Sequence, residues 1–318
     1  MKIIPLSLPT PFYVGAVNVY LIREDPVTLI DVGPKTAEAA KVLREKLNRN
    51  GVDFKDVRRI VLTHAHEDHC GLAKKVRDEA KNAEILVHEW ETGHLFGRLA
   101  REEHHALMTR AGVPDETFRE MQSLYSEISL LTDALDDGEF STLSDEQEIA
   151  FERGSLKVIH TPGHTPGSCS FVRESNRTLI CGDCVLKRIT PNPIVSPDPI
   201  DPEKRFRSLA EYLVSLAKVR SYHPTMVYGG HGEPITDFEE IFNRYVKAID
   251  ERQRRTISLV PKDGVTAFEV ALKLFPNAGE DVHRFLAISE AIAHLDYAEQ
   301  ERKIAVELKN GVEFYRKR

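Results

Sequence analysis

The segment that most constrains the fold runs Val61-Leu-Thr-His-Ala-His-Glu-Asp-His-Cys70, with four residues of metal-ligand type in six positions: His64, His66, Asp68 and His69. Imidazole and carboxylate are the ligand types that borderline metal ions such as zinc prefer. Residues 58–62, just before the cluster, are predicted to form a strand, and residues 71–82 a helix. Ligands at such a strand end point beyond the carboxyl edge of the sheet, where open α/β sheets bind ligands.

Three further residues of the same types follow short apolar runs later in the chain. They are His164 in Thr161-Pro-Gly-His-Thr-Pro-Gly167, Asp183 in Cys181-Gly-Asp-Cys184, and His231 in Gly229-Gly-His-Gly232. Each has glycine close by, which allows a sharp turn and a close approach of other groups. Together with the first cluster, these residues predict a site for two metal ions.

With these motifs the chain resembles the metallo-β-lactamase superfamily. The first cluster matches the family motif H-x-H-x-D-H, the three later residues match its remaining ligands in order, and the resemblance covers about residues 6–237. It implies an α/β fold, an αββα sandwich with two divalent metal ions at one edge of two packed sheets. It also implies that His64, His66 and His164 hold one ion. Asp68, His69 and His231 would hold the other, with Asp183 bridging.

Two cations about 3.5–4 Å apart can share a water molecule and lower its pKa to near 7. We therefore predict a hydrolase that uses metal-activated hydroxide, with Asp68 and Asp183 as its catalytic carboxylates. Zinc is the expected metal ion, with iron or manganese as alternatives. Groups behind the ligands must orient the imidazoles. Asp31 and Thr63 are the candidates for this role, although each can equally cap a turn.

The composition is that of a soluble globular protein, with 41% hydrophobic and 29% charged residues among 318. No apolar run reaches membrane-spanning length, and prolines interrupt the start of the chain, so we expect a cytoplasmic protein without a membrane partner. Four cysteines in such a chain argue against a disulfide framework. The C-x-x-C spacing of Cys181 and Cys184 admits redox or zinc chemistry, but packing beside Asp183 is favoured.

We predict a catalytic domain over residues 1–245, with a helical cap inserted at about 90–135. The cap falls between the first cluster and His164, so it should narrow the entrance to the site. Its histidines are predicted to lie on the surface: His94, His104 and His105.

A proline-rich segment, residues 187–194, leaves directly from Asp183 and is predicted to be irregular and to line the pocket. Its polar side chains are candidate substrate-binding groups: Lys187, Arg188 and Asn192. For the two basic residues, a solvated loop position is an equal alternative.

Residues 246–318 are predicted to form a small winged-helix-like domain. Helices are expected at 266–275 and 289–302, followed by a hairpin that turns at Asn310-Gly311. A subset of metallo-β-lactamase-like hydrolases carries such a tail. Acidic and basic residues balance across residues 250–318, whereas a DNA-reading helix brings a basic face. Packing or formation of a homodimer is therefore the favoured role of the tail.

The resemblance leaves the substrate open. A small ester, thioester or lactone is our first expectation, because the net charge of −7 and the neutral tail disfavour polyanions. The alternative is an endoribonuclease acting on single-stranded RNA, since family members with a winged-helix tail include such enzymes. A non-catalytic winged-helix regulator is the second alternative.

Overall fold

A computed structural model describes residues 1–81, 83–95, 101–136, 138–279 and 282–318, without the side chains of residues 101–103 and 282. Its first sheet has six strands, which lie side by side in chain order: β1 (Ile3–Leu8), β2 (Val17–Ile22), β3 (Thr28–Ile30), β4 (Arg59–Val61), β5 (Glu84–His88) and β6 (Ser141–Leu143). Strands β1 to β3 pair antiparallel, and β3 to β6 pair parallel. The predicted strand at 58–62 is therefore present as β4, shorter by one residue at each end.

The second sheet has five strands in the order β11-β10-β9-β8-β7. They are β7 (Glu148–Phe151), β8 (Gly154–His160), β9 (Cys169–Arg173), β10 (Thr178–Gly182) and β11 (Met226–Gly229). Only the β10–β11 pair is parallel. As a result, β10 and β11 end at the same edge of the sheet.

The helices of the described residues are α1 (Ala37–Arg49), α2 (Glu67–Cys70), α3 (Ala73–Ala80), α4 (Thr92–Leu95), α5 (Arg101–Arg110), α6 (Asp115–Ile128), α7 (Ser208–Ser221), α8 (Phe238–Leu259), α9 (Ala267–Leu274) and α10 (Val282–Gln300). The Thr36 hydroxyl begins α1 by accepting a hydrogen bond from the amide of Ala39 at 3.0 Å, a standard N-cap. No helix of the described residues has the length and apolar composition that a membrane span requires.

Three buried clusters define the layers of the fold. One lies between the two sheets and includes Ile30 and Val61 of the first sheet and Phe171 and Ile180 of the second. A second packs α1 and α3 on the outer face of the first sheet, and a third packs α7 and α8 on the outer face of the second. The expectation of two sheets flanked by helices is therefore confirmed.

The C-terminal segment consists of α9, α10 and a hairpin of β12 (Ile304–Lys309) and β13 (Val312–Lys317). The hairpin turns at the predicted Asn310-Gly311, and α10 begins seven residues before the predicted start at 289. The predicted division at residue 245 falls inside α8 and stays a prediction. A fourth buried cluster joins this segment to α5, α6 and Val195, so the cap and the tail share one core.

Candidate metal centre

Strand ends bring the predicted ligands to one edge of the two sheets. The loop that carries His64 and His66 follows β4, and Asp183 follows β10 directly. His231 follows the neighbouring β11, and because β10 and β11 are parallel, their ends meet. His164 lies in the loop between β8 and β9.

One group of nitrogens consists of His64, His66 and His164. Nδ1 of His66 lies 3.0 Å from Nε2 of His64 and 3.0 Å from Nε2 of His164. Three imidazole nitrogens that face one another this closely form the kind of triad that holds a zinc-type cation.

A second group consists of Asp68, His69 and His231. Nε2 of His231 lies 3.3 Å from a carboxylate oxygen of Asp68, and Nε2 of His69 lies 4.0 Å from the other. Asp183 lies between the groups, with Oδ1 3.5 Å from Nε2 of His69 and Oδ2 3.7 Å from Nε2 of both His164 and His231. The structure therefore brings all seven predicted side chains together.

The unsatisfied atoms in this cluster fit bound cations. Nε2 of His69, Nε2 of His231 and Oδ1 of Asp183 are buried and have no hydrogen-bond partner among the described residues. Buried polar atoms are rarely left in this way, because each one costs its full desolvation free energy. Imidazole nitrogens and carboxylate oxygens are also the donor set of divalent zinc or iron sites. The residues present therefore fit the metal ions that the sequence predicts.

Hydrogen bonds on the outer side fix the ring nitrogens that face the cluster. Nδ1 of His164 donates to the carbonyl of Asn192 at 2.8 Å, and Nδ1 of His231 donates to that of Ala16 at 3.0 Å. Nδ1 of His69 donates to the carboxylate of Asp31 at 2.8 Å. A proton on Nδ1 leaves Nε2 with a free lone pair directed at the cluster, which is the tautomer a metal ligand needs.

Asp31 and Thr63 take the orienting position predicted for them. Asp31 accepts hydrogen bonds from both the amide and the hydroxyl of Thr63, each at 2.8 Å. Because that hydroxyl donates to Asp31, it can accept from Nδ1 of His64, which lies 3.0 Å away. β3 and β4 are parallel neighbours, so their ends place these two residues side by side.

The electrostatics of the cluster favour neutral imidazoles at His64 and His66 and an ionised carboxylate at Asp183. Burial lowers the pKa of His64 and of His66 well below the ordinary histidine value. Burial alone raises the pKa of Asp183, but the charges of His231 and His69 outweigh it and hold that pKa well below its usual range. Both states are those that bind cations. By contrast, the pKa values of His69 and His231 are raised, because the neighbouring carboxylates outweigh the effect of burial.

Two glycines keep space open at the cluster. A Cβ atom on Gly230 would overlap Oδ1 of Asp183 and lie 2.6 Å from Cε1 of His69. Gly182 has a φ of +47°, and a Cβ atom there would lie 2.5 Å from the hydroxyl of Thr63. Any side chain at either position would therefore displace the cluster or the groups that orient it.

The cluster opens into a cavity of about 310 Å³ with a mostly apolar wall. Residues of α6, of the loop after Asp183 and of α10 contribute to this wall: Phe118, Met121, Tyr125, Leu186, Ile194, Phe285 and Leu286. Residues of the predicted cap therefore line this cavity, and its role in narrowing the entrance stays a prediction.

The predicted substrate-binding residues take different positions. Asn192 lines the cavity and donates from Nδ2 to the carbonyl of Leu286 at 2.9 Å. Lys187 and Arg188 are not among the residues that line it, and both pair with Glu233, at 2.8 and 3.1 Å. A substrate-binding role for the three residues stays a prediction.

The prediction for the cap histidines was correct only for His105, which is exposed. His94 and His104 line the cavity. Nε2 of His94 lies 3.6 Å from the carboxylate of Glu67, which is itself buried beside the ligands. The helices turn these two rings inward because the cap folds over the site, which helical spacing alone does not reveal.

Sequence reasoning missed Glu91, a buried residue that joins two ligand loops. Its carboxylate accepts from the amide of Ala65 at 2.9 Å, from the hydroxyl of Thr165 at 2.6 Å and from the amide of Gly167 at 2.8 Å. It also missed Phe285 and Leu286, because their position in the cavity wall depends on contacts between segments far apart in the sequence. For Glu91, the only signal in the sequence was an acidic residue shortly after β5.

Residues 12–231 match the model of a protein family described as "Metallo-beta-lactamase superfamily". The chain belongs to this superfamily. Within the superfamily, it is 32% identical over 315 residues to "Probable metallo-hydrolase YqjP" of Bacillus subtilis, covering 95% of this chain and 93% of that protein. The crystal structure of the metallo-beta-lactamase family protein TTHA1429 from Thermus thermophilus superposes with a TM-score of 0.85 at 26% identity, covering 99% of this chain and 98% of the other. These likenesses and the His/Asp clusters support a metal-dependent hydrolase.

A more distant relative is named for the reaction that it catalyses. The "Atrochrysone carboxyl ACP thioesterase" of Emericella nidulans is 22% identical over 305 residues, which cover 93% of this chain and 78% of that protein.

Proposed function

We propose that the protein is a binuclear metal-dependent hydrolase of a small, largely apolar ester, thioester or lactone. One observation carries the proposal: two groups of buried ligand atoms meet at Asp183 and face an apolar cavity. A cavity of about 310 Å³ lies at the lower end of the range for small-molecule sites.

His64, His66 and His164 would hold one ion, and Asp68, His69 and His231 the other, with Asp183 between them. When bound, two divalent cations supply Lewis acidity and lower the pKa of a water molecule to near 7. We propose zinc as the native metal ion, because the ligand set is imidazole and carboxylate. Asp68 and Asp183 are the catalytic carboxylates: Asp68 orients the attacking water, and Asp183 fixes the separation of the two ligand groups.

The cavity wall favours an uncharged reacting group over a phosphodiester. A phosphate in this cavity would lose its hydration among side chains such as Phe118, Met121 and Phe285, without a lysine or arginine among the described lining residues to replace it. An acyl chain instead removes apolar surface from water, which contributes roughly 25 cal/mol per Å². The thioesterase activity for which the distant relative is named agrees with this preference.

We also propose that residues 246–318 form a winged-helix-like body that serves as a wall of the site. Residues 289–296 of α10 belong to the predicted helix at 289–302, which would have to read nucleic acid in a winged helix, and they are all buried. A helix that reads nucleic acid must expose a face to it, so packing is the better explanation of this tail.

The test combines metal analysis with a panel of thioester, lactone, phosphodiester and RNA substrates. We expect about two divalent ions per chain and turnover of an apolar thioester or lactone. Asp183→Ala should lose at least one ion and at least about a hundredfold in kcat, because charge-stabilising groups contribute effects of this size. Asp78→Ala, an exposed aspartate on α3, is the matched control and should behave as wild type.

Full activity of Asp183→Ala with both ions retained would contradict the bridging role. Cleavage of RNA alone would instead establish the endoribonuclease alternative.

A further inference from the structure

A second cleft, of about 890 Å³, lies beside the apolar cavity. Its lining comes from the loop after Asp183, from one face of α8, and from the segment around α9 and α10. Four arginines line it: Arg188, Arg244, Arg252 and Arg255. Among the described lining residues, Glu290 is the one carboxylate. This cleft is positively charged, whereas the whole chain carries a net charge of −7.

Helical spacing explains why the arginines gather there. Positions 244, 248, 252 and 255 of α8 recur at intervals of four, four and three residues, which place them on one face of a helix. Three of these positions hold arginine, and the fourth is Ala248, whose small side chain leaves room between them.

Two of the guanidinium groups are not neutralised. Arg252 forms an ion pair with the buried Glu290. Arg244 donates to the carbonyl of Lys187, and Arg255 donates to that of Lys273 at 3.3 Å. In the part of the chain that the structure describes, neither Arg244 nor Arg255 pairs with a carboxylate, and both side chains belong to exposed residues.

The rim contributes a third cation. Arg188 pairs with Glu233 at 3.1 Å, but the two side chains are 77% and 58% exposed. Exposed pairs of this kind contribute little free energy and exchange partners readily. Arg188 can therefore turn to an anion in the cleft.

The cleft and the apolar cavity are adjacent, since four residues line both: Ile189, Asn192, His283 and Leu286. A ligand that extends across these shared residues would place an apolar group at the metal centre and an anionic group at the arginines. Guanidinium groups bind phosphate through paired charge-assisted hydrogen bonds, so phosphate is the anion that several arginines favour.

We propose that the substrate is an acyl thioester whose thiol sits on a phosphate-bearing, nucleotide-type arm, with Arg188, Arg244 and Arg255 binding its phosphates. This proposal rests on the proposed hydrolase function and names the leaving group. In the reaction, a water oxygen bonds to the acyl carbon, the carbon–sulfur bond breaks, and the sulfur takes up a proton. The products are a carboxylic acid and the free thiol.

The distal position of the arginines separates this substrate from RNA. In an RNA substrate, the phosphate that reacts must itself lie at the metal centre, where the wall is apolar. In the proposed thioester, the phosphates remain in the second cleft and only the acyl group enters the cavity.

The test compares two thioesters of octanoic acid, one with coenzyme A and one with N-acetylcysteamine, which lacks phosphate. We expect the double variant Arg244→Gln/Arg255→Gln to raise the KM for the coenzyme A thioester relative to the KM for the N-acetylcysteamine thioester at least about tenfold. Only the coenzyme A thioester carries phosphates that these arginines can bind. Arg254→Gln is the matched control: it lies on the same helix, pairs with Asp250 and does not line the cleft. The KM ratio of Arg244→Lys/Arg255→Lys should lie between those of wild type and the glutamine variant, because lysine keeps the positive charge.

Calorimetric titration with coenzyme A tests the cleft independently of turnover. Binding should weaken with salt and be lost in the glutamine variant. An unchanged KM ratio together with unchanged coenzyme A binding would overturn the proposal. So would a single-stranded RNA oligonucleotide that needs Arg244 and Arg255 while coenzyme A fails to bind. If wild type hydrolyses neither thioester, the hydrolase assignment fails for thioesters, while arginine-dependent coenzyme A binding would still establish the anion site.

Discussion

At the scale of single residues, Asp31 connects two parts of the metal cluster. One carboxylate oxygen accepts from the amide of Thr63, and the other accepts from the Thr63 hydroxyl and from Nδ1 of His69. Asp31 itself has a φ of +58°, a conformation that aspartate and asparagine tolerate better than most residues. A short polar residue therefore stands at the end of β3, where its carboxylate contacts both Thr63, which orients His64, and the predicted ligand His69.

Replacement of Asp31 by asparagine should weaken metal binding while keeping the shape of the side chain. An amide has one acceptor oxygen instead of two, so it cannot accept from the Thr63 amide on one side and from the Thr63 hydroxyl and Nδ1 of His69 on the other. Either orientation leaves a donor without its partner and disturbs the groups that orient the His64 and His69 rings. Loss of such a partner costs about 10–100-fold in metal affinity or activity. Competition with a chelator measures the affinity, and Asp78→Ala serves again as control. Wild-type affinity in Asp31→Asn would show that the tautomer is fixed by other contacts.

At the scale of elements, a buried ion network connects the tail to the loop before α7. Arg205 donates to both carboxylate oxygens of Asp296, at 2.7 and 2.5 Å, to Glu313 at 3.0 Å and to the hydroxyl of Tyr315 at 3.2 Å. The arginine and both carboxylates are almost fully buried. The network joins α10 and β13 to a segment of the catalytic body.

Arg205→Ala should therefore destabilise the protein far more than the loss of an exposed arginine. Removing one partner from a buried network leaves charge uncompensated and costs about 3–5 kcal/mol. Arg207 and Arg110 still contact Asp296 and Glu313, so we expect the lower end of that range. Arg220→Ala breaks a half-exposed pair with Glu239 and should cost less than about 1 kcal/mol. Urea unfolding measures the free energy of unfolding of both variants. Equal decreases in the two would contradict the prediction.

Local signals in the sequence located most elements, because their causes are local. Thr36 and the Asn50-Gly51 pair bound α1, and Asn310-Gly311 turns the hairpin. Helix α7 begins only at Ser208, because Arg205 and Phe206 pair with residues 196–197 of the preceding loop, a long-range contact without a local signal in the sequence. The ligands could be found from their motifs, but the contribution of Phe285 to the cavity could not, since it depends on how distant segments pack.

At the scale of the whole molecule, the cap, the tail and the loop before α7 share one buried cluster. It contains Leu107 and Met108 of α5, Val195 of the loop, and Ile288 and Leu295 of α10. A segment that lacks a closed core of its own cannot unfold without exposing its neighbours' apolar surface. The tail and the catalytic body are therefore expected to unfold together.

Scanning calorimetry should show one cooperative transition, which Ile288→Ala shifts as a whole. Ile288 is fully buried, and truncation of a buried isoleucine to alanine costs about 2–5 kcal/mol. Leu272→Ala, at a 45% exposed position of α9 in the same tail, is the control and should stay within about 0.5 kcal/mol of wild type. A second, separate transition that appears in Ile288→Ala would show that the tail is an independent unit.

Much of the apolar wall of the cavity comes from α6, from the loop after Asp183 and from α10, none of which carries a predicted metal ligand. Directed evolution can therefore change which acyl groups the cavity binds without substitutions among the predicted metal ligands. A library confined to Met121, Tyr125, Ile194, Phe285 and Leu286 would sample new acyl groups while every ligand stays in place. Because the wall and the metal ligands lie on different segments, paralogues could evolve different substrate specificities while they keep the same reaction.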